Sequence, residues 1–240
     1  MRIVTDTKLV NRNVTIARYA SLGGIGLIIA ALFINLYAIS RPMEEQPQLL
    51  IYVVGAFVIG YLLSNLGGSL NFRWGRRPDR GLSDALRGLD DRHTLYNHRL
   101  GANHVLVAPN GVFVFVPKYQ GGPVVFEAGK WKNPGERRGL FSFFAPRDIL
   151  GNPAAEATGE SEAFKSFLKK QTPEAEVDPK PIVVFMNSRA EVQARDAPVT
   201  ALHVKQLKDY VRRQTRGATL PASALAAIEE KLGLAEPQPG

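Results

Sequence analysis

Two long windows without a charged residue constrain this chain more than any other feature of its sequence. The first runs from Tyr19 to Ser40 and the second from Gln46 to Phe72. Each is longer than the roughly 20 residues that an α-helix needs to cross a hydrocarbon core about 30 Å thick. A cleaved signal peptide has a shorter apolar part and is not followed closely by a second span. The sequence therefore predicts transmembrane helices at residues 19–40 and 49–70, joined by a short extracytoplasmic loop at residues 41–48.

Charged residues flank these windows asymmetrically. The connection between the windows is net acidic, with Glu44 and Glu45 against Arg41. The outer flanks are basic, through Arg2, Lys8, Arg12 and Arg18 before the first window and Arg73, Arg76, Arg77 and Arg80 after the second. The positive-inside rule then predicts a two-pass protein of the cell membrane with a cytoplasmic tail at residues 1–18. Both termini and the whole soluble part are expected in the cytoplasm.

Small residues recur at four-residue spacing within the predicted spans. The second span carries the stripe Ala56, Gly60, Ser64 and Gly68, and the first carries the pairs Ala20–Gly24 and Gly26–Ala30. Such spacing allows two helix backbones to approach closely. The partner of the stripe could be the other span, a second copy of the chain or another membrane protein.

The remaining chain, residues 71–233, predicts one α/β domain, a mixed sheet flanked by helices. Helices are expected at Leu82–Leu89, Glu160–Lys170, Val204–Val211 and from Pro221 to Gly233. Strands are expected at His93–Leu100, His104–Ala108, Val112–Val116, Pro123–Ala128 and Ile182–Met186. Residues 133–159 are predicted as a long loop or insertion, in which the apolar residues at 140–144 cap the core or touch the membrane interface. Residues 234–240 are expected to form a disordered tail.

The two apolar runs around Pro109-Asn110-Gly111 predict a β-hairpin with both faces covered. If Asn110-Gly111 forms a two-residue type I′ turn, Pro109 lies opposite Val112 and Asn103 lies opposite Lys118. Alternation along the strands then puts Asn103, Val116 and Lys118 on one face of the sheet.

This hairpin resembles the core of the NERD (nuclease-related domain) family, a branch of the restriction-endonuclease-like PD-(D/E)xK superfamily. His104, Pro109 and Gly111 match the family pattern, which continues through Gly121-Gly122, Pro123-Val124-Val125 and Gly129-Lys130-Trp131. The resemblance aligns the family's catalytic Asp with Asn103, its Glu with Val116 and its Lys with Lys118. A further acid of the family's first helix aligns with Asp79, so two of the three central positions are replaced.

Metal-dependent phosphodiester hydrolysis needs carboxylate oxygens that hold a hard divalent cation. Asn103 offers only a neutral carbonyl and Val116 offers no ligand, so Mg²⁺ or Mn²⁺ is expected to bind poorly and no cofactor is expected. The alternative is a relocated acid, for which Glu127 on the next strand is the candidate. The interpretation without a catalytic role is that Glu127 is a solvated strand residue beside Lys130.

The net charge of +8 makes nucleic acid a candidate ligand of this chain. Part of it belongs to the flanks of the predicted spans, and basic residues of the soluble part are the candidates for binding phosphate, namely Arg92, Arg99, Lys118, Lys130 and Lys132. A merely solvated charged surface explains them equally well. The chain has no cysteine, its four histidines lack metal-ligand spacing, and it has no P-loop or nucleophile elbow.

Three functions remain open at this point. We expect a membrane-anchored NERD-like domain that has lost hydrolysis, a pseudoenzyme that serves as a binding or scaffold module with nucleic acid as a candidate ligand. The first alternative is an active metal-dependent nuclease that uses a relocated carboxylate with Asp79 and Lys118. The second is a protein-interaction module at the membrane with no nucleic-acid role.

Overall fold

The computed structural model describes residues 1–39, 47–134, 150–175, 177–214 and 219–231. The described residues form two compact units. We call the described part of Thr7–Arg77 the hairpin unit, and we call Met1–Asp6 together with the described residues of 78–134 and from 150 onward the sheet unit. The acidic loop between the predicted spans, the apolar cluster at 140–144, Gly233 and the predicted tail at 234–240 lie outside the described residues.

The hairpin unit consists of helix α1, Thr7–Ile39, helix α2, Pro47–Leu70, and a π-helical turn, Asn71–Gly75. Two helices of the structure are long and apolar enough to cross a membrane, as the sequence predicted. Helix α1 begins at Thr7, before the predicted span at Tyr19. Its first three turns contain the basic residues Lys8, Arg12 and Arg18 that precede the apolar window. The predicted tail at residues 1–18 is therefore mostly helical.

A seam with seven-residue spacing joins α1 to α2. On α1 the seam consists of Val10, Ala17, Gly24 and Ala31. On the other side it consists of Val53, Gly60 and Gly67 of α2 and of Trp74 in the π-helical turn that follows. Seven-residue spacing is the pattern of helices that wrap around each other, and glycine or alanine in the seam lets the backbones come close.

The seam only partly coincides with the predicted four-residue stripes. Gly60 and Ser64 of the predicted stripe do face α1, since a Cβ on Gly24 would lie 2.7 Å from the carbonyl oxygen of Gly60 and would also overlap the backbone of Ser64. In contrast, Gly26 and Ala30 are exposed. The close partner of Gly60 and Ser64 is thus the other helix of the same chain.

The sheet unit is a mixed α/β structure. Its strands are β1 Arg2–Thr5, β2 Thr94–Asn97, β3 His104–Ala108, β4 Gly111–Lys118, β5 Gly122–Glu127, β6 Lys130–Lys132, β7 Lys180–Phe185, β8 Ala190–Gln193 and β9 Thr200–His203. Its helices are α3 Pro78–Ala85, α4 Pro153–Gln171, α5 Val204–Arg213 and α6 Ala222–Lys231. Six strands form a sheet in the order β1-β2-β3-β4-β7-β9, and three form a small sheet in the order β6-β5-β8.

The central sheet is mixed because β2, β3 and β4 form an antiparallel meander, whereas β7 returns parallel to β4. Strands β1 and β9 extend the two edges in parallel with β2 and β7. The short strands β8 and β9 were not expected from the sequence, and β5 belongs to the small sheet rather than to the meander.

The hairpin β3–β4 has a different turn from the one predicted. Ala108 pairs with Gly111, so the two loop residues are Pro109 and Asn110. Proline in the second position and glycine in the fourth are the preferences of a type I turn. The pairing is shifted by two residues, which places Asn103 across from Val116 but keeps every side chain on its predicted face.

Helices cover both faces of the central sheet. Leucines of α3 and α5 pack with Leu106, Phe113 and Phe115 on one face, and Phe164 and Leu168 of α4 pack on the other. Helix α4 begins at Pro153, seven residues before the predicted Glu160, so part of the predicted loop at 133–159 is helical. Asn152 caps this helix by accepting a hydrogen bond from the amide of Ala155.

Candidate functional site

Helix α4 lies over the face of the sheet that carries the positions aligned with the family's catalytic strand residues. Val116 belongs to an apolar cluster with Val183 and Phe185 of β7 and with Ala154 and Ala157 of α4. A buried valine among these side chains provides no oxygen for a cation. The position aligned with the family's Glu is thus part of the hydrophobic core.

Lys118 is held by a carboxylate that sequence reasoning missed. Its Nζ lies 2.7 Å from Oε1 of Glu156, which projects from the first turn of α4. The Lys118 side chain is 8% exposed and that of Glu156 is 49% exposed. A buried ammonium needs such a partner, because an unpaired charge in the core is costly.

Asn103 is bound by a second carboxylate of the same helix. Glu160 accepts a hydrogen bond from the backbone amide of Asn103 at 2.7 Å and another from its side-chain amide. The Oδ1 atom of Asn103 lies 3.1 Å from Nδ1 of His98. The polar atoms of Asn103 are therefore engaged within the sheet unit.

Glu156 and Glu160 are one helical turn apart and point to the same face of α4. We call them the α4 carboxylate pair. The signal that could have found them is Asn152-Pro153, an N-cap residue followed by proline at the first helical position. Starting the helix there adds Ala157 to Phe164 and Leu168 on its buried face and aligns Glu156 with Glu160.

Asp79 lies on the other face of the sheet. It belongs to α3, whose Leu82 lies in one core cluster with Leu106 of β3. Its charge acts on His104, which alternates with Asn103 along β3 and so points to the face opposite Asn103. The structure thus separates Asp79 from the face that holds Asn103, Val116 and Lys118.

His104 is a packed, neutral histidine. It is 2% exposed, and its Nδ1 lies 2.8 Å from Oδ1 of Asn97. Burial, reinforced by the neighbouring His98, lowers the pKa of His104 to about 3, although Asp79 acts in the opposite direction. His104 is therefore a packing residue on the face of the sheet opposite Asn103.

Glu127, the candidate for a relocated acid, lies at the end of β5 in the small sheet. It is exposed and pairs with Lys132, whose Nζ lies 3.4 Å from its carboxylate. Lys130 is its cross-strand neighbour. The acid beside Lys118 comes from α4 instead.

The basic residues proposed for phosphate binding do not form one surface. Arg92 precedes β2 and bonds to Asp90, whose pKa is lowered to about 2 by the side-chain hydrogen bonds from Arg92 and His93. Arg99 follows β2 and lies 3.5 Å from Asp6. Lys118 is buried against α4, whereas Lys130 and Lys132 belong to the small sheet. Most of these charges are thus balanced by a nearby carboxylate.

Within the described ranges, no group of three or more histidine or acidic side chains is arranged to hold a metal ion. The α4 carboxylate pair supplies two acids, one of which is bound to Lys118 and the other to Asn103. Comparison with family models, with curated proteins and with solved structures finds no match to this chain.

Proposed function

We propose that this chain is a membrane-anchored domain of the restriction-endonuclease-like type whose metal centre is degenerate. In this proposal it acts as a binding or scaffold module rather than as a hydrolase. The order helix α3, meander β2–β3–β4, helix α4 and parallel strand β7 supports the fold assignment, because the resemblance of the hairpin implies this arrangement.

The observation that carries the functional proposal is the state of the aligned site residues. Val116 lies in an apolar cluster, Lys118 is neutralised by Glu156, and Asn103 is bound by Glu160. A divalent cation would have to break the ion pair of Lys118 or compete with the amide of Asn103 to gain a carboxylate. Taking Glu156 away would also leave the buried ammonium of Lys118 unpaired beside a dication, which is costly because like charges repel strongly where little water screens them.

The pairing of β1 with β2 supports a two-pass arrangement. Residues before α1 and residues after α2 belong to one folded unit, since Arg2 pairs with Thr94 and Thr5 pairs with Asn97. If both helices cross the membrane, both ends of the hairpin unit must return to the same side. The basic flanks of the spans favour the cytoplasm for that side.

A second candidate function is a nuclease whose carboxylate has moved to α4. The position of Glu156, 2.7 Å from Lys118, favours it specifically. In this case Glu156 and Glu160 would hold Mg²⁺ or Mn²⁺, the cation would polarise a phosphodiester, and Lys118 would orient the attacking water. Glu127 has no part in this alternative, because it pairs with Lys132 on the small sheet.

The experiment that separates these functions uses the full chain in nanodiscs of zwitterionic lipid, incubated with plasmid DNA and Mg²⁺ or Mn²⁺. A fragment that begins at Arg73 is unsuitable because it lacks β1. We expect no cleavage by the natural chain. Cleavage that disappears in both Lys118→Ala and Glu156→Gln would overturn the proposal and favour the nuclease.

The same samples distinguish a nucleic-acid module from a protein-interaction module. Salt-sensitive retention of DNA without cutting supports a nucleic-acid ligand, because phosphate contacts release counterions. Absence of retention favours a protein partner. The double substitution Asn103→Asp with Val116→Glu restores the family's acids and provides the comparison for metal-dependent cleavage.

A further inference from the structure

We propose that two copies of this chain associate in the membrane through the outer face of α2, where Asn65 of one copy hydrogen-bonds to Asn65 of the other. We call Val58, Leu62, Asn65 and Ser69 the Asn65 face. The inference rests on the membrane anchoring in the proposed function, and it adds a second copy of the chain as a partner. It does not depend on what the sheet unit binds.

Asn65 points away from α1. The side of α2 that contacts α1 is marked by Gly60 and Gly67, where an added Cβ would overlap residues of α1. At about 100° per residue, Asn65 lies roughly 140° from Gly60 and roughly 160° from Gly67 around the helix. The other helix of the same chain is therefore on the wrong side of α2 to bind the Asn65 side chain.

The neighbours of Asn65 on this face are exposed. Val58 is 52% exposed and Leu62 is 60% exposed, and Ser69 is exposed as well. The four residues follow one another at spacings of four, three and four residues, which is the spacing at which paired helices meet. This side of α2 is therefore accessible to another helix.

The side-chain amide of Asn65 has hydrogen-bonding capacity that its own helix does not use. Its Nδ2 atom donates to the carbonyl oxygen of Tyr61, one turn earlier, at 2.9 Å. A side-chain amide carries two N–H donors and an oxygen with two lone pairs. Among the residues that the structure describes, one N–H group and the oxygen of Asn65 are thus left for an external partner.

Asn65 lies at a depth where lipid cannot satisfy these atoms. The charge-free window from Gln46 to Phe72 has its midpoint at Ile59. Asn65 is roughly 9 Å along the helix from this midpoint, whereas the hydrocarbon core extends about 15 Å to each side. Hydrocarbon offers no hydrogen bond, so polar side chains within a membrane pair with one another across helices.

A second copy of the chain provides a polar partner at the same depth. All copies insert in the same direction, so a two-fold axis along the membrane normal places Asn65 of both copies at one level. An amide is both donor and acceptor, so two facing Asn65 side chains can exchange Nδ2–H···Oδ1 hydrogen bonds. A single asparagine in a seam of apolar residues also fixes the register of paired helices. A different protein would need a matching polar residue at this depth.

Asn35 provides the matched comparison. It lies one turn after Ala31, a seam residue of α1, and therefore on the side of α1 that faces α2. Like Asn65, it is partly exposed and lies within a charge-free window, roughly 8 Å from the midpoint. The two asparagines thus have the same side chain at similar distances from the middle of the membrane, and only Asn65 points away from the other helix.

The test is disulfide cross-linking of the full chain in phosphatidylcholine vesicles, since the chain has no cysteine of its own. Ser69→Cys places a thiol on the Asn65 face. Tyr19→Cys places one on α1 at a position that is 70% exposed. Ser21 and Gly67 lie at one level, and the two thiols lie two residues from them in the same direction. We expect a cross-linked dimer from Ser69→Cys and little from Tyr19→Cys.

The strength of the association is measured as the lipid-to-protein ratio at which half of the Ser69→Cys chains cross-link. Asn65→Ala should lower this ratio by between about threefold and about twentyfold, the range for an interhelical hydrogen bond in a membrane. The matched substitution Asn35→Ala should leave the ratio unchanged. Asn65→Gln keeps an amide and should recover most of the association, which separates the hydrogen bond from a loss of helix structure.

Equal cross-linking of Ser69→Cys and Tyr19→Cys would overturn the proposal, and so would equal effects of Asn65→Ala and Asn35→Ala. Extraction of the same vesicles with alkaline carbonate reports membrane insertion independently. A chain that resists extraction but stays monomeric at every ratio would contradict the pairing of copies alone and favour a different membrane protein as the occupant of the Asn65 face. Extraction of the natural chain would contradict both the pairing and the membrane anchoring.

Discussion

Lys118 has a different environment from a lysine that serves a metal centre. Its ammonium group is buried against Glu156, and the neighbouring inward position on the strand is the apolar Val116. Glu160 binds Asn103 in the same way one helical turn further along α4. At the scale of residues, the polar groups of this face bind each other, and this is what a structural network requires.

The ion pair of Lys118 predicts a specific pattern of stability. Glu156→Gln should lower the free energy of unfolding of the sheet unit by about 1–2 kcal/mol, because it leaves a buried ammonium with a weaker partner. Adding Lys118→Met should recover most of this loss, since an apolar side chain of similar length suits the site. The measurement is thermal unfolding followed by Trp131 fluorescence in a Trp74→Phe background.

The matched control for this pair lies on the same helix. Glu162 forms a surface ion pair with Lys165 at 3.2 Å, and both side chains are substantially exposed. Glu162→Gln should change stability by less than about 0.5 kcal/mol. Similar losses for Glu156→Gln and Glu162→Gln would contradict the assigned role of the buried pair.

His104 predicts a dependence of stability on pH. Its pKa is about 3 in the folded chain against an ordinary value of 6.5, so below pH 6.5 the unfolded chain binds a proton that the folded chain excludes. The contribution of neutral His104 to the free energy of unfolding should be fully present above pH 6.5. It should fall as the pH is lowered towards 3, by up to about 1.4 kcal/mol per pH unit. His104→Gln should flatten the profile between pH 7 and pH 5, and an unchanged slope would refute a buried neutral imidazole.

At the scale of elements, the seam between α1 and α2 has a clear cause. Gly24 and Gly60 allow backbone contact, whereas a Cβ on Gly23 or Gly26 meets nothing within 4 Å. The seven-residue spacing of small residues is visible in the sequence. The four-residue stripes coincide with this seam only in part, since Gly26 and Ala30 are exposed.

Gly24→Val should therefore push the two helices apart, and Gly23→Val should not. Both substitutions change helix propensity equally, so the difference between them reports packing alone. The measurement is the distance between spin labels at the exposed positions Tyr37 and Ile51, in the full chain. Equal distance distributions for the two variants would show that the seam is not a close contact.

Other elements show which parts of the fold local sequence patterns predict and which they do not. The antiparallel hairpin and helix α5 follow from spacing and turn residues and form approximately where the sequence places them, whereas α3 spans Pro78–Ala85 rather than the predicted Leu82–Leu89. The start of α4 was missed because the Gly- and Pro-rich segment before it obscured the cap at Asn152. The acid beside Lys118 was missed for the same reason, since Glu156 was assigned to a loop.

Strand β1 could not have been predicted from local sequence. Arg2–Thr5 is four residues long and pairs in parallel with a strand about 90 residues later, across the whole hairpin unit. Such pairing depends on tertiary structure rather than on propensity. The small strands β8 and β9 are equally short, and both pair in parallel, β8 with the distant strand β5 and β9 with the nearer strand β7.

At the scale of the whole molecule, β1 makes the hairpin unit an insertion between two parts of one folded unit. The amides of Arg2 and Asp6 donate to the carbonyls of His93 and Asn97. By alternation, the amide of Val4 points to β2 and that of Ile3 points away.

Val4→Pro should destabilise the sheet unit, because it removes a ladder hydrogen bond, and Ile3→Pro should be better tolerated at the outer side of the edge strand. We expect a difference of about 1 kcal/mol in the free energy of unfolding. Hydrogen exchange of β2 in the full chain measures it directly. Equal protection of β2 in both variants would exclude the pairing of β1 with β2.

The central claim is that, among the residues that the structure describes, the carboxylates on the face carrying Lys118 are already bound and not available for a divalent cation. Its most direct test is titration of the full chain, in nanodiscs of zwitterionic lipid, with Mn²⁺ monitored by electron paramagnetic resonance. The structure predicts that the natural chain and the Glu156→Gln variant leave the signal of free Mn²⁺ equally unchanged. One Mn²⁺ ion bound with submillimolar affinity by the natural chain, and lost in Glu156→Gln, would contradict the account.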